Sequence, residues 1–88
     1  MRIVILYHPN SEQAGPAETF KHDFEAAHYG YKVELLSLET TEGAELAKLY
    51  DIVRYPAILV LGPEDRLQQM WQDQPWPPMG EVYAYAQN

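Results

Sequence analysis

Ala47-Lys-Leu-Tyr-Asp-Ile-Val-Arg-Tyr-Pro-Ala-Ile-Leu-Val-Leu61 changes character at Pro56. Upstream of it, Leu46, Leu49 and Tyr50 fall on one side of a helical projection and Glu42, Glu45 and Lys48 on the other, with Thr40 or Thr41 placed to cap a helix of about two turns. Downstream, Ala57-Ile-Leu-Val-Leu61 is a continuous apolar run, the pattern of a strand covered on both faces. Gly62-Pro-Glu-Asp65 is a tight polar turn and Leu67-Gln-Gln-Met-Trp71 resumes an extended pattern, so the two runs read as an antiparallel hairpin.

Further upstream, Arg2-Ile-Val-Ile-Leu-Tyr7 is a second apolar run, stopped by the turn-forming His8-Pro9-Asn10-Ser11, and predicts a central strand. Pro16 is suited to the first residue of a helix whose apolar stripe is Ala17, Phe20, Phe24 and Ala27, with Gly30 as a left-handed stop. Tyr31-Lys-Val-Glu-Leu35 then alternates and runs into Leu36-Ser-Leu38, a second strand. Past the hairpin, Pro75-Trp-Pro-Pro78 is a stiff connector to a helix carrying Met79, Val82 and Tyr85 or Ala86 on one face. The order is β-α-β-α-β-β-α. The hairpin must pair beside the first strand for every strand to have a neighbour, which gives an α/β fold with a four-stranded mixed sheet flanked by helices.

With 88 residues the chain is expected to form one domain, residues 1–88. Thirteen acidic and six basic side chains leave a net charge of −7, which repels nucleic acid and anionic lipid. Cysteine is absent, which removes disulfides, thiol nucleophiles and zinc–thiolate sites. No secretory leader and no membrane-spanning run is visible, so a cytoplasmic protein is expected, with neither nucleic acid nor membrane as partner.

The stretch from Ala47 to Leu61 resembles the thioredoxin-like superfamily, in which a helix ends, a short Tyr-containing segment follows, and a cis-proline opens a strand; Pro56 stands at that position. Val4-Ile-Leu-Tyr-His-Pro9 is similar to the strand leading into the family's active-site loop, and Leu36-Ser-Leu-Glu39 to its end-of-strand segment. The likeness spans nearly the whole chain. Where the family carries Cys-x-x-Cys, this chain has Ser11-Glu-Gln-Ala-Gly-Pro16, which excludes thiol–disulfide exchange. The resemblance implies that the backbone beside Pro56 accepts an extended peptide by strand-like hydrogen bonds.

Candidate ligand-binding residues are therefore Asn10, Ser11, Glu12 and Gln13 in the loop before the first helix, with Tyr55 and Pro56 opposite. The helix start offers amide donors, whereas Asn10 or Ser11 folding back as a local cap and Glu12 placing a negative charge there both oppose anion binding. Tyr55 in turn either presents its backbone to a ligand or packs over the loop. The segment Leu6-Tyr-His-Pro-Asn-Ser11 also resembles the opening of glutathione transferases, where a Tyr or Ser hydroxyl stabilises a thiolate; that implies Tyr7 or Ser11 beside glutathione, although the stretch Asp65-Arg-Leu-Gln-Gln69 lacks the family's Glu-Ser. His22 with Glu18 or Glu25 reads as a solvated helix face and not a metal site. Trp71, Trp76, Met79, Tyr83 and Tyr85 either close the core or form a homodimer contact.

Three functions follow as expectations: a non-enzymatic, cofactor-free module that binds a peptide or protein at the proline groove; a glutathione-binding or glutathione-transferase-like domain; and a homodimeric structural protein.

Overall fold

Ile3, Val4, Ile5 and Leu6, the interior of strand β1 (Arg2–Tyr7), are at most 1% exposed, which requires cover on both faces of the sheet. The computed structural model describes residues 1–87 and supplies that cover with three layers. Strand β2 (Val33–Ser37) runs parallel to β1, while β3 (Ala57–Leu61) pairs antiparallel on its other side with Ile5 opposite Ile58 and Leu6 opposite Ala57. Strand β4 (Leu67–Gln72) completes the hairpin, and the sheet order is β2-β1-β3-β4. This is the mixed four-stranded sheet that the sequence implies.

Alternation divides the core in two. Ile3, Ile5, Val33, Ile58 and Val60 face helix α1 (Ala14–Ala27), through Ala17, Phe20 and Phe24, and helix α3 (Met79–Ala86), through Val82 and Ala86. Val4, Leu6, Ala57, Leu59 and Leu61 face the opposite way, against Leu46 of helix α2 (Thr41–Leu49) and Ile52. Each fully buried Leu, Ile or Phe stabilises the fold by about 1.5–3 kcal/mol through apolar burial.

Four local readings need correction. Helix α1 starts at Ala14, and Pro16 is its third residue; the Ala17 N–H makes the first intrahelical bond, 3.0 Å to the Gln13 carbonyl, so the missing proline N–H would have had no helical acceptor. Ala27 is exposed, and its place on the inner stripe goes to His28, whose ring stacks 3.9 Å from that of Tyr83. Leu49 is 66% exposed, because α2 turns Gly43 and Leu46 inward. Strand β2 begins at Val33, two residues after Tyr31, whose N–H turns back to the His28 carbonyl. Gly30, at φ +92°, makes that turn possible.

Trp71, Trp76, Met79, Tyr83 and Tyr85 are all half-buried against the α1-side core. Trp76 stacks on Phe20 at 5.5 Å, and Trp71 meets the Tyr85 ring edge-on at 5.7 Å. Tyr55–Pro56 and Gln74–Pro75 are cis peptide bonds.

Charged side chains fasten the periphery. Arg2 grips Glu34 with two hydrogen bonds of 2.9 Å and also reaches Asp65 at 3.0 Å and Glu42 at 3.2 Å, joining β1, β2, the hairpin turn and α2. At the free edge of β2, Lys21 Nζ donates to the Val33 carbonyl at 2.7 Å while the Val33 N–H donates to Glu25 at 2.8 Å, so α1 occupies backbone groups that an open edge would offer another chain. The Lys21 ammonium, and then the Val33 amide, hold the Glu25 carboxyl below its ordinary value; the Arg2 hydrogen bonds do the same for Glu34.

Both carboxyls bind protons less readily in the folded chain than in the unfolded one. Their contribution is present above the ordinary value of 4.5 and is lost as pH falls below it through the lowered folded values. Urea midpoints measured from pH 7 down to pH 3 should fall in acid, and Glu25→Gln with Glu34→Gln should flatten that fall; an unchanged acid profile refutes the assignment.

Gly43 provides a second test. A Cβ there would collide with the Ser37 carbonyl, so Gly43→Ala should destabilise by about 1–3 kcal/mol despite the roughly 1 kcal/mol helical preference for alanine. Gly80 of α3 has open space around it, and Gly80→Ala should leave the melting temperature unchanged or raise it.

Candidate functional site

The sheet ends β1 and β2 at their carboxyl ends on one side of the molecule, next to the amino end of β3. Three irregular segments meet there: the loop from His8 to Gln13, the β2–α2 turn, and the approach to Pro56. Arg2 and its three carboxylates lie at the other end of β1.

Within the first loop, Ser11 is a staple. Its hydroxyl donates to the His8 carbonyl at 2.7 Å and accepts from the Gln13 N–H at 3.1 Å. Its proton is thereby committed, which is poor preparation for stabilising a thiolate. Gln13 spans the site: its Oε1 accepts the His8 N–H at 2.9 Å and its Nε2 donates to the Tyr55 carbonyl at 3.5 Å, the outer limit of a hydrogen bond. The Tyr55 ring meets His8 edge-on at 5.2 Å and its hydroxyl donates to the Ile52 carbonyl at 2.7 Å. The side chain therefore packs over the loop, and the Tyr55 carbonyl faces the Gln13 side chain.

Of the six candidate residues, the structure links Ser11, Gln13 and Tyr55 directly, with Pro56 buried behind them. Asn10 turns away to Glu39, with Nδ2 to Oε2 at 3.4 Å, and Glu12 lies exposed. Tyr7 is half-buried against the α1-side core.

The start of α1 has few donors left. The Gln13 N–H is taken by Ser11 Oγ, the Ala14 N–H bonds the Ser11 carbonyl at 3.3 Å, and Pro16 has none. A proline and a local cap thus strip the helix of most of the amides that make such a terminus an anion site.

Two contributors escape the sequence reading. His8 supplies both the ring under Tyr55 and the amide held by Gln13, and only its position before Pro9 marks it. Gln72, at the end of β4, accepts the Val53 and Arg54 amides at 3.1 and 3.2 Å and so fixes the segment before Tyr55; nothing in the sequence points to it, because the contact depends on hairpin register. Val53 itself is 78% exposed. Among the described residues, no three His, Cys, Asp or Glu side chains converge as metal ligands, and no helix is long and apolar enough to cross a membrane.

No protein-family model and no curated protein matches the chain. Among solved structures it is similar to a malarial protein at 13% identity, covering 97% of this chain and 91% of that one with a TM-score of 0.65. It is also similar to thioredoxin 1 from the thermophilic eubacterium Thermosipho africanus TCF52B at 11% identity, covering 99% and 91% with a TM-score of 0.58. The fold is thioredoxin-like, on a chain with no cysteine.

The bridging role of Gln13 is open to measurement. Gln13→Ala should speed hydrogen exchange at the His8 amide and lower stability by about 1 kcal/mol, with β3 amides unaffected beyond that global change. Unaltered exchange at His8 would show that the bridge does not persist in solution.

Proposed function

We propose that this cysteine-free, thioredoxin-like chain is a binding module that takes an extended peptide, or an extended segment of a partner protein, along the backbone of Tyr55. One observation carries the reading. Among the described residues the Tyr55 N–H makes no hydrogen bond, and its carbonyl has only the long contact to Gln13. A segment running beside residue 55 in strand fashion would exchange both groups and displace the Gln13 amide, which then serves as a stand-in for the ligand.

Two features support it. Val53 exposes an apolar side chain two residues away, suited to a non-polar side chain on the partner. The net charge of −7, with Glu12 exposed in the loop, favours a neutral or basic segment over an acidic one. Loss of the cysteines leaves such a backbone surface intact, and no covalent step is involved.

The test is selection from a displayed library of short peptides, followed by amide-shift mapping of the binders. Selected peptides should shift His8, Gln13, Val53 and Tyr55. N-methylation of the one peptide amide facing the Tyr55 carbonyl should weaken binding on the order of tenfold. A library without binders, or binders that leave those four amides unmoved, refutes the proposal. Millimolar glutathione is titrated in parallel, and shifts at Tyr7 and Ser11 with glutathione alone would favour the glutathione reading instead.

A further inference from the structure

A groove of about 620 Å3 runs between the first half of α1 and the Pro75–Pro78 connector, within the range of roughly 300–1,000 Å3 that holds small organic ligands. Its walls are Pro16, Phe20, Trp76 and Met79, and its polar groups are Thr19 and Asp23. Neither Gln13 nor Tyr55 contributes to it, so it is a separate surface from the proposed peptide site.

Asp23 gives the groove its chemical preference. It follows Thr19 by four residues and Phe20 by three, which places its carboxylate on the face of α1 that carries the apolar wall. Its one hydrogen-bond partner is the exposed His22 ring, 3.4 Å away. The chain's cations are elsewhere: Arg2 is held by Glu34, Glu42 and Asp65, Lys21 by Glu25, and no Lys or Arg lines the groove. In a chain of net charge −7, this carboxylate at an aromatic wall has no Lys or Arg partner.

The aromatic wall is set in place before any ligand arrives. Trp76 lies almost parallel to Phe20, at 5.5 Å and 25°, and this stacking fixes the indole against α1. Aromatic surface beside a carboxylate suits a cation that carries its own apolar body, since the ring and the acid attract the charge and the wall buries the rest. An anion is repelled by Asp23. A divalent metal ion finds one carboxylate where it needs six or so oxygen ligands.

We propose that this groove binds a small organic cation, an alkyl- or aryl-ammonium compound, with the charge against Asp23 and the apolar body against Trp76. The probe is benzyltrimethylammonium, with benzyl alcohol and benzylsulfonate as neutral and anionic counterparts of similar size. Titrations at pH 8 follow the amides of Thr19 and Asp23 and the Trp76 indole N–H.

The ammonium compound should bind saturably and shift all three signals. Asp23→Asn, an exposed change that leaves the packing intact, should weaken it about 2- to 5-fold, as should added salt. Trp76→Leu should weaken it by a similar factor, about 2- to 5-fold. Equal binding of benzyl alcohol, full affinity in Asp23→Asn, or no saturable binding each overturns the proposal. The peptide reading would be unaffected by any of these results.

Discussion

Two adjacent strands, β1 and β3, buried on both faces, set the constraints that the rest of the chain satisfies. No residue from Ile3 to Leu6 or from Ala57 to Leu61 is more than 2% exposed. Their side chains alternate between the two sides, so neither side can be left to water. Helices α1 and α3 answer one side and α2 with Ile52 the other. For a chain of 88 residues this is an efficient use of apolar surface, because nine residues of strand organise both halves of the core.

The same constraint explains where function can reside. The strands are committed along their whole length, so accessible backbone appears where they end. At the carboxyl end of β1 the chain must turn through His8 to Gln13, and at the entry to β3 it must pass Tyr55 and Pro56. Gln13 spans these two segments with the two ends of one amide, firmly at the His8 amide and at 3.5 Å from the Tyr55 carbonyl, the backbone group on which the proposed peptide site rests. At the opposite end Arg2 draws three carboxylates together. One end of the sheet is therefore tied by charge, while the other is closed by a neutral side-chain amide.

The sheet edges are managed by different means. Lys21 and Glu25 of α1 occupy the Val33 backbone on the β2 edge. On β4 the Met70 N–H is taken by the neighbouring Gln69 side chain, and Gln72 reaches across to the segment before Tyr55. Glutamine thus does for the hairpin side what an ion pair does for the other. It also ties the last strand to the candidate site, so the hairpin supports that site as well as the core.

Much of this architecture was legible in the residues themselves. The apolar runs at Arg2–Tyr7 and Ala57–Leu61, the helical stripe of Phe20 and Phe24, the Thr40 cap and the turn after Leu61 are all local signals. Period and turn chemistry act over a few residues, and so they survive in one dimension. The candidate residues from Asn10 to Gln13 and Tyr55 to Pro56 came from a family likeness, and the structure joins three of them. Tertiary packing alone decided which helical positions face inward, turning Leu49 out and His28 in, because a helix's rotation is set by the surface it meets. It also decided that Gly43 must lack a side chain, that Gln72 braces Val53 and Arg54, and that Asp23 shares a wall with Trp76. Each of these depends on the register or approach of segments distant in the chain, and no pattern of neighbouring residues encodes that distance.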